Sequence, residues 1–260
     1  MNFFLRILSP LVFLVSLATG CQLISNTPSS ENRLGVIAGV PTAIAPEKPI
    51  FRDDFNGQLN PAWTRQNEDA SRYKINEDGW LEITGGDESI LSGEQQTNLL
   101  WAKLPRGDFV ILVHLKSQPL FDYQKAGLLL FGDSEHYISL NRGYCMECVL
   151  GGSGVFLEYN LNGRRGRYSA ATDATDLYLM LIRAHGVIGA FYSLEAGQWK
   201  NIANLEDDIP FERAGLSVTN DSRWEEGYDV IGEFDFFEIR SSFHQTPMPL
   251  PIFLQQRGNF

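Results

Sequence analysis

Residues 108–116 read Asp-Phe-Val-Ile-Leu-Val-His-Leu-Lys, and this stretch decides the fold class. Every second side chain from Phe109 to Leu115 is apolar, which is the period that places one row of side chains against a core in a half-buried β-strand. Eight other short runs share this strand character: 79–84, 126–131, 136–141, 155–160, 177–184, 187–194, 215–219 and 234–240. Because no long amphipathic helix intervenes, the sequence predicts an all-β sandwich of at least nine strands.

Short turn sequences separate these runs. Asn162-Gly163 and His185-Gly186 favour the positive φ angles of tight hairpins, so residues 177–194 are predicted to form a hairpin. The basic run Arg164-Arg165-Gly166-Arg167 is interpreted as the solvated tip of another hairpin. No repeat of 20 to 50 residues is visible, which argues against a propeller or a solenoid.

Composition narrows the class of partner. The 260 residues are 43% hydrophobic and 20% charged, which fits one globular domain with tails. The formal net charge of -11 argues against nucleic acid as a partner, because phosphate backbones attract basic surfaces. A neutral ligand such as a sugar is compatible with this net negative charge.

The amino terminus has the features of an export signal. Arg6 precedes an apolar run over residues 7–18 that polar residues interrupt, and the run is too short for a membrane span. Residues 17–21, Leu-Ala-Thr-Gly-Cys, resemble the lipobox of bacterial lipoproteins, although Ala18 stands where leucine is usual. This resemblance implies that residues 1–20 are a signal peptide and that Cys21 is acylated, holding an exported protein on the cell membrane or the outer membrane. Ordinary signal cleavage near Gly20 is the alternative.

The rest of the chain divides into three parts. Residues 21–49 are rich in Ser, Thr, Ala and Pro and are predicted to be a flexible tether. Residues 50–241 hold the strand runs and form the domain. Residues 242–260 contain three prolines, which argues against central strands and predicts a covering or loose tail.

Two cysteines remain after Cys21. Cys145 and Cys148 lie in an exported, oxidising context and are predicted to bond to each other. Their C-x-x-C spacing is also that of redox proteins, but it lies between strands and not at a helix start within a βαβ unit. A structural disulfide is therefore the preferred interpretation.

Several blocks resemble known families. Residues 51–63 look like the opening strand of concanavalin A-like jelly rolls. Residues 107–109, 123–130 and 136–140 resemble the middle of the DUF1349 family and of the related C-terminal domain of family 43 β-xylosidases. Residues 214–216 and 234–239 are similar to the last part of that family's sequence. The resemblance implies a two-sheet antiparallel jelly roll that often serves as a carbohydrate-facing accessory module.

The last strand carries a candidate catalytic pair. Glu233 and Glu238 lie in a stretch similar to the catalytic strand of retaining jelly-roll glucanases, which use two carboxylates about 5 to 5.5 Å apart. Strand alternation puts Glu233 and Asp235 on one face and Glu238 on the other unless a bulge intervenes. In those enzymes the catalytic strand also lies mid-chain, so we expect no catalytic residues here, with a glycoside hydrolase kept as the alternative.

The same strand offers a candidate metal ligand. In the wider jelly-roll class, an Asp near the end and groups near the start can hold calcium, and Asp235 and Asp54 match those positions. Oxygen ligands suit a structural calcium ion. Solvated or hydrogen-bonded carboxylates are the alternative.

A polar sheet face is the candidate ligand site. Tyr137, Ser139 and Asn141 alternate with apolar residues, and Glu158 follows on the next strand. Nearby aromatic residues would provide an apolar platform for sugar rings: Tyr144, Trp101, Trp224 and Tyr228. Three functions follow as hypotheses: a non-catalytic glycan-recognition lipoprotein, which is preferred, a glycoside hydrolase acting on polysaccharide, and a structural or protein-interaction envelope lipoprotein.

Overall fold

The computed structural model describes residues 48–89, 91, 95–208, 210–220 and 229–241. The signal peptide, Cys21, nearly all of the tether and the tail from residue 242 lie outside the described residues. The described residues form fifteen β-strands: β1 Phe51–Asp53, β2 Thr64–Gln66, β3 Tyr73–Ile75, β4 Leu81–Thr84, β5 Leu99–Lys103, β6 Phe109–Ser117, β7 Gln124–Asp133, β8 His136–Cys145, β9 Gly152–Leu161, β10 Arg164–Ala171, β11 Asp176–Ala184, β12 Val187–Ser193, β13 Lys200–Glu206, β14 Arg213–Asn220 and β15 Ile231–Arg240. Within those ranges, no helix is long and apolar enough to cross a membrane.

The strands form two antiparallel sheets. The first sheet has the order β13-β12-β11-β6-β15-β4-β3, and β1 pairs with β15 beside β4. The second has the order β10-β9-β8-β7-β14-β5-β2. Both sheets combine consecutive strands, such as β7 to β10, with neighbours that are far apart in sequence, such as β6 and β15, which is typical of a jelly roll. The predicted all-β jelly-roll sandwich is confirmed.

The core lies between the sheets. The predicted apolar row of β6, from Phe109 to Leu115, is fully buried there and faces residues such as Leu128 and Leu140 of the second sheet. All nine predicted strands are present, most of them longer than predicted. The hairpin turns are also confirmed, because Asn162, Gly163, His185 and Gly186 all have positive φ.

Six strands were not among the nine predicted: β1, β2, β3, β5, β10 and β13. The basic run was interpreted as a hairpin tip, but it starts strand β10, which pairs with β9 along its whole length. Arg164 and Arg165 are exposed next to the turn, whereas Arg167 is half-buried. An edge strand with few apolar residues lacks the alternation that would reveal it.

Both ends of the described domain lie at the same end of the sandwich. Phe51 pairs with Ile239, and Arg240 pairs with Val110 at the start of β6. We call this the entry end. The opposite end, called the loop end, carries the loops 118–123, 146–151, 172–175 and 194–199, because β6, β8, β10 and β12 all finish there.

A buried carboxylate joins the first strand to the loop that follows it. Asp53 ends β1 and is 6% exposed. Its Oδ1 accepts from the Phe55 amide at 2.9 Å, and its Oδ2 accepts from the Asn60 amide and the Trp63 indole, both at 2.7 Å. The Trp63 ring then packs on Phe237 of β15 at 4.9 Å. Asp53 therefore connects the beginning of the domain to its last strand.

Candidate functional site

The outer face of the second sheet brings the predicted polar residues together. Tyr137, Ser139 and Asn141 point outward from β8, and Glu158 of β9 pairs directly with Ser139. Ser139 and Asn141 are each 2% exposed and Glu158 is 7% exposed, while Tyr137 is half-buried. The face is therefore polar in composition but closely packed, and Tyr137 is the most accessible of the four residues.

An ion-pair network rigidifies one half of this face. Lys125 Nζ of β7 lies 2.5 Å from one Glu158 oxygen, and Arg167 Nε of β10 donates to the other at 2.8 Å. Burial alone would raise the pKa of the Glu158 carboxyl, but Lys125 and Arg167 together hold that pKa below its usual value. Glu158 is thus an ionised carboxylate fixed between two cations.

An apolar cluster occupies the other half. Leu99, Trp101, Leu129 and Phe131 pack together on the outer face, with Tyr137 at their edge. Burial, followed by the charge of Glu158, raises the pKa of the Tyr137 phenol, which keeps it protonated as a hydrogen-bond donor at neutral pH.

Two of the predicted aromatic residues are not available as an open platform. Trp101 is 2% exposed, donates its indole N–H to Gln66 and is covered by the Arg213 guanidinium at 4.4 Å. Tyr144 is a correction to the predicted site: β8 alternates regularly to its end, so Tyr144 lies on the side of Leu140, opposite Asn141. Trp224 and Tyr228 lie outside the described residues.

One polar atom on this face lacks a partner. The Asn141 Oδ1 is buried and accepts no hydrogen bond within the part of the chain that the structure describes, although its amide nitrogen donates to Ser139. The side chain lies over Gly127 of β7, where a Cβ would stand 2.9 Å from Oδ1 and 2.3 Å from the Leu140 carbonyl. Glycine is needed there for the close approach of Asn141. An unpaired buried acceptor costs about 1–3 kcal/mol, which a donated hydroxyl would recover.

The predicted disulfide is present. Cys145 at the end of β8 is bonded to Cys148 in the loop that follows. The Arg167 guanidinium lies against Cys148 and also binds Glu158, so it connects the disulfide to the polar face.

The carboxylates of the last strand do not form a catalytic pair, which corrects the hydrolase alternative. A bulge at Asp235 shifts the register of β15, so Glu233 and Glu238 lie on the same side, but on the outer face of the first sheet. Their partners on β6, Lys116 and Leu112, are four residues apart, which corresponds to about 13 Å along a strand. Retaining and inverting glycosidases need about 5 to 9.5 Å between carboxyls.

Glu238 has a structural environment. It is 2% exposed and binds Arg52 of β1 and Arg240 of its own strand. Glu233 accepts a hydrogen bond from Asn76 at 3.2 Å. Two guanidinium groups therefore occupy the Glu238 carboxylate.

The two carboxylates predicted as calcium ligands, Asp54 and Asp235, are already bonded to basic side chains. The Asp54 carboxylate binds Arg52 at 2.5 Å, and Asp235 binds His114 Nδ1 at 2.9 Å. The neighbouring buried carboxylate, Asp53, is saturated by three protein donors. Among the residues described, no cluster of three or more His, Cys, Asp or Glu side chains fits a metal ion. Calcium would have to displace these partners.

Sequence reasoning missed a second cluster, on the outer face of the first sheet. His114 of β6 stacks on Tyr178 of β11 at 4.1 Å and has Trp80 at its edge at 5.0 Å. Its two ring nitrogens face Asp235 and Asp176. The signal in the sequence is weak, because these residues come from four separate segments that only the sheet order brings together.

The Glu158 network makes stability depend on pH. Because its folded pKa is depressed, Glu158 stabilises the fold fully above the ordinary pKa of about 4.5, and this stabilisation is lost as the pH falls through the lower folded value. We expect Glu158→Gln to lower the free energy of unfolding by about 2 kcal/mol at neutral pH. Denaturant unfolding at decreasing pH should show the difference from wild type shrinking below about pH 4.5. The exposed Glu135→Gln is the control, and an unchanged difference at low pH would contradict the assignment.

Comparisons with known proteins agree with this fold. The family described as beta xylosidase C-terminal concanavalin A-like domain matches residues 52–217. The GH43 BlXynB protein from Bacillus licheniformis is similar in structure, with a TM-score of 0.64 and 19% identity over 74% of this chain and 39% of that one. The xylan beta-1,4-xylosidase from Bacillus halodurans has a TM-score of 0.59 and 20% identity over 75% and 40%.

A smaller protein is similar over nearly its whole length. The beta-glucanase from Bacillus licheniformis has a TM-score of 0.52 and 11% identity over 74% of this chain and 98% of that one. No curated protein matches the sequence. At these identities the structural likeness shows the fold alone, and the chain spans about two-fifths of the length of the two GH43 proteins.

Proposed function

Because the chain belongs to the beta xylosidase C-terminal concanavalin A-like domain family, we propose that it is a non-catalytic carbohydrate-recognition module of an exported lipoprotein. Acylated Cys21 and the tether over residues 21–49 would hold the domain on the cell membrane or the outer membrane, where it meets envelope glycans. The proposed site is the outer face of the second sheet.

The unpaired Asn141 Oδ1 carries the proposal. Buried polar groups usually form hydrogen bonds with one another. A buried acceptor that lacks a donor therefore indicates a place for an external donor such as a sugar hydroxyl. Ser139 and the ionised Glu158 lie beside it, and both already accept from protein donors, namely Asn141, Lys125 and Arg167. The acceptor proposed for a sugar hydroxyl is therefore Asn141 Oδ1 alone.

Tyr137 supplies the second half of the recognition. Its ring lies at the edge of the apolar cluster, and its protonated phenol is close to the polar row. A pyranose ring has an apolar face and a polar rim, so a site with an aromatic ring beside fixed acceptors suits it. The network of Lys125, Glu158 and Arg167 holds these groups in place before binding, which lowers the entropic cost.

The separation of Glu233 and Glu238 supports recognition without hydrolysis. A family relationship to enzyme-associated domains does not bring a reaction with it. The GH43 relatives make xylo-oligosaccharides the first ligands to try.

The test is a glycan array that includes xylan and glucan oligosaccharides, probed with the mature chain carrying Cys21→Ser. We expect reproducible binding that falls about tenfold in Tyr137→Ala and in Asn141→Ala, since each variant removes about 1.4 kcal/mol of interaction. Tyr178→Ala, on the outer face of the other sheet, is the matched control and should bind as wild type does.

The alternatives have distinct outcomes. Loss of binding in Tyr178→Ala alone would move the site to the first sheet, beside His114 and Trp80. Absence of binding by a chain with a normal thermal transition would refute glycan recognition and favour a structural or protein-interaction lipoprotein.

A further inference from the structure

Exposed apolar side chains concentrate at the loop end. Six large apolar residues in the described part of the chain are strongly exposed: Ile50, Leu120, Met146, Val149, Leu194 and Ile231. Five of them lie at the loop end, in the loops that define it or at the start of β15, and Ile50 alone lies at the entry end. Single exposed apolar residues are ordinary on protein surfaces, whereas several at one end of a domain are a candidate contact surface.

The loops that carry them are fixed. The disulfide between Cys145 and Cys148 closes the loop that presents Met146 and Val149. The Met146 amide donates to Asp122 of the neighbouring loop 118–123, and the Tyr123 amide donates to the Tyr144 carbonyl. The apolar side chains of these two loops are therefore presented on one joined and rigid surface.

The other two loops are also held by internal bonds. The buried Arg142 side chain donates to the Ala174 carbonyl at 2.8 Å, which anchors loop 172–175. The Ser193 hydroxyl contacts the carbonyls of Glu195 and Gln198 and closes loop 194–199. Loops ordered before binding lose little entropy on association.

The four loops carry charge of one sign, although basic side chains such as Lys116 and Lys200 lie at the strand ends that border them. Each of the four loops contains one carboxylate, namely Asp122, Glu147, Asp173 and Glu195, and none of the four contains Lys or Arg. An apolar surface that carries carboxylates is complementary to an apolar surface that carries basic side chains.

We infer that the loop end is a docking surface for a protein partner whose contact patch combines apolar and basic side chains. Anionic lipid and nucleic acid are repelled by the carboxylates. A second copy would bring the acidic loops together.

The position of the chain ends agrees with this surface. Both the residue that leads into β1 and the residue that leaves β15 lie at the entry end. Both described ends of the domain therefore lie away from the loop end. The exposed apolar side chains of the docking surface are different residues from those of the proposed glycan site, so the two functions are tested with different variants.

The probe is a synthetic helical peptide with a leucine face bordered by lysines, titrated into the isotopically labelled mature chain carrying Cys21→Ser. We expect NMR shift changes in residues 118–123 and 146–151, and weaker binding as salt is added. The double variant Met146→Ser/Val149→Ser should bind at least about tenfold more weakly, because apolar residues at the centre of an interface contribute most of its energy.

Ile50→Ser is the matched control, since it removes an equally exposed apolar side chain at the entry end and should bind the peptide as wild type does. All three side chains are exposed, so the variants should keep the wild-type thermal transition. Three results would each overturn the inference. They are an affinity for an all-lysine peptide equal to that for the leucine-lysine peptide, shift changes outside the loop end, and unchanged binding by the double variant. So would sedimentation of the chain with uncharged phosphatidylcholine vesicles.

Discussion

Replacing Asp53 with alanine should lower the free energy of unfolding by about 4 kcal/mol, because three donors would lose their acceptor at once. The Phe55 and Asn60 amides and the Trp63 indole all point at this carboxylate, which is 6% exposed. The loss should also loosen the packing of Trp63 on Phe237 and so separate the first strand from the last. Denaturant unfolding of the variant and of wild type measures the difference.

Asp54→Ala is the control for this substitution. Asp54 is the next residue in the chain, but it is exposed and binds only Arg52 among the described residues. An exposed ion pair contributes about 0–1 kcal/mol, so the variant should be nearly as stable as wild type. Equal destabilisation by both substitutions would show that Asp53 does not have the special role that its three bonds indicate.

Replacing Glu238 with alanine should lower the free energy of unfolding by about 3 kcal/mol. The substitution leaves the Arg52 and Arg240 guanidinium groups without the buried carboxylate that joins them, and it opens a gap between β1 and β15. Thermal and denaturant unfolding should both report the loss.

Glu233→Ala separates the structural role of Glu238 from a catalytic one. Glu233 lies on the same outer face but accepts a side-chain hydrogen bond only from Asn76 among the described residues, and its loss should cost less than about 1 kcal/mol. If the two residues were a general acid and a nucleophile, the wild type would hydrolyse a polysaccharide and each variant would have lost that activity. We expect the wild type and both variants to show no hydrolysis.

Strands with a buried apolar row were predictable, and strands without one were not. The run at 108–116 alternates because one of its faces is in the core, so its pattern and its burial have the same cause. β2 and β3 have three residues each, and β10 is an edge strand of mainly polar and small residues. Their pairing comes from their neighbours along the sheet, which composition does not reveal.

The candidate site was partly predictable for the same reason. Alternation placed Tyr137, Ser139 and Asn141 on one face of β8, and the structure has them there. Arg167 and Lys125 were not predicted beside Glu158, because they come from strands that flank it only in the folded sheet. Gly127 has no local signal at all, since its role depends on the approach of a side chain from the next strand.

The sequence by itself determined the all-β class, the positions of the hairpin turns and the pairing of Cys145 with Cys148, because each depends on local periodicity, local backbone preference or short spacing. Tertiary structure alone decided that Glu233 and Glu238 share an outer face, since a bulge at Asp235 changes which way every later side chain points. It also decided that Asp53, and not its neighbour Asp54, is the buried carboxylate, because burial depends on which strand closes over the first one. Sheet order brings distant segments into contact, and no local pattern contains that information.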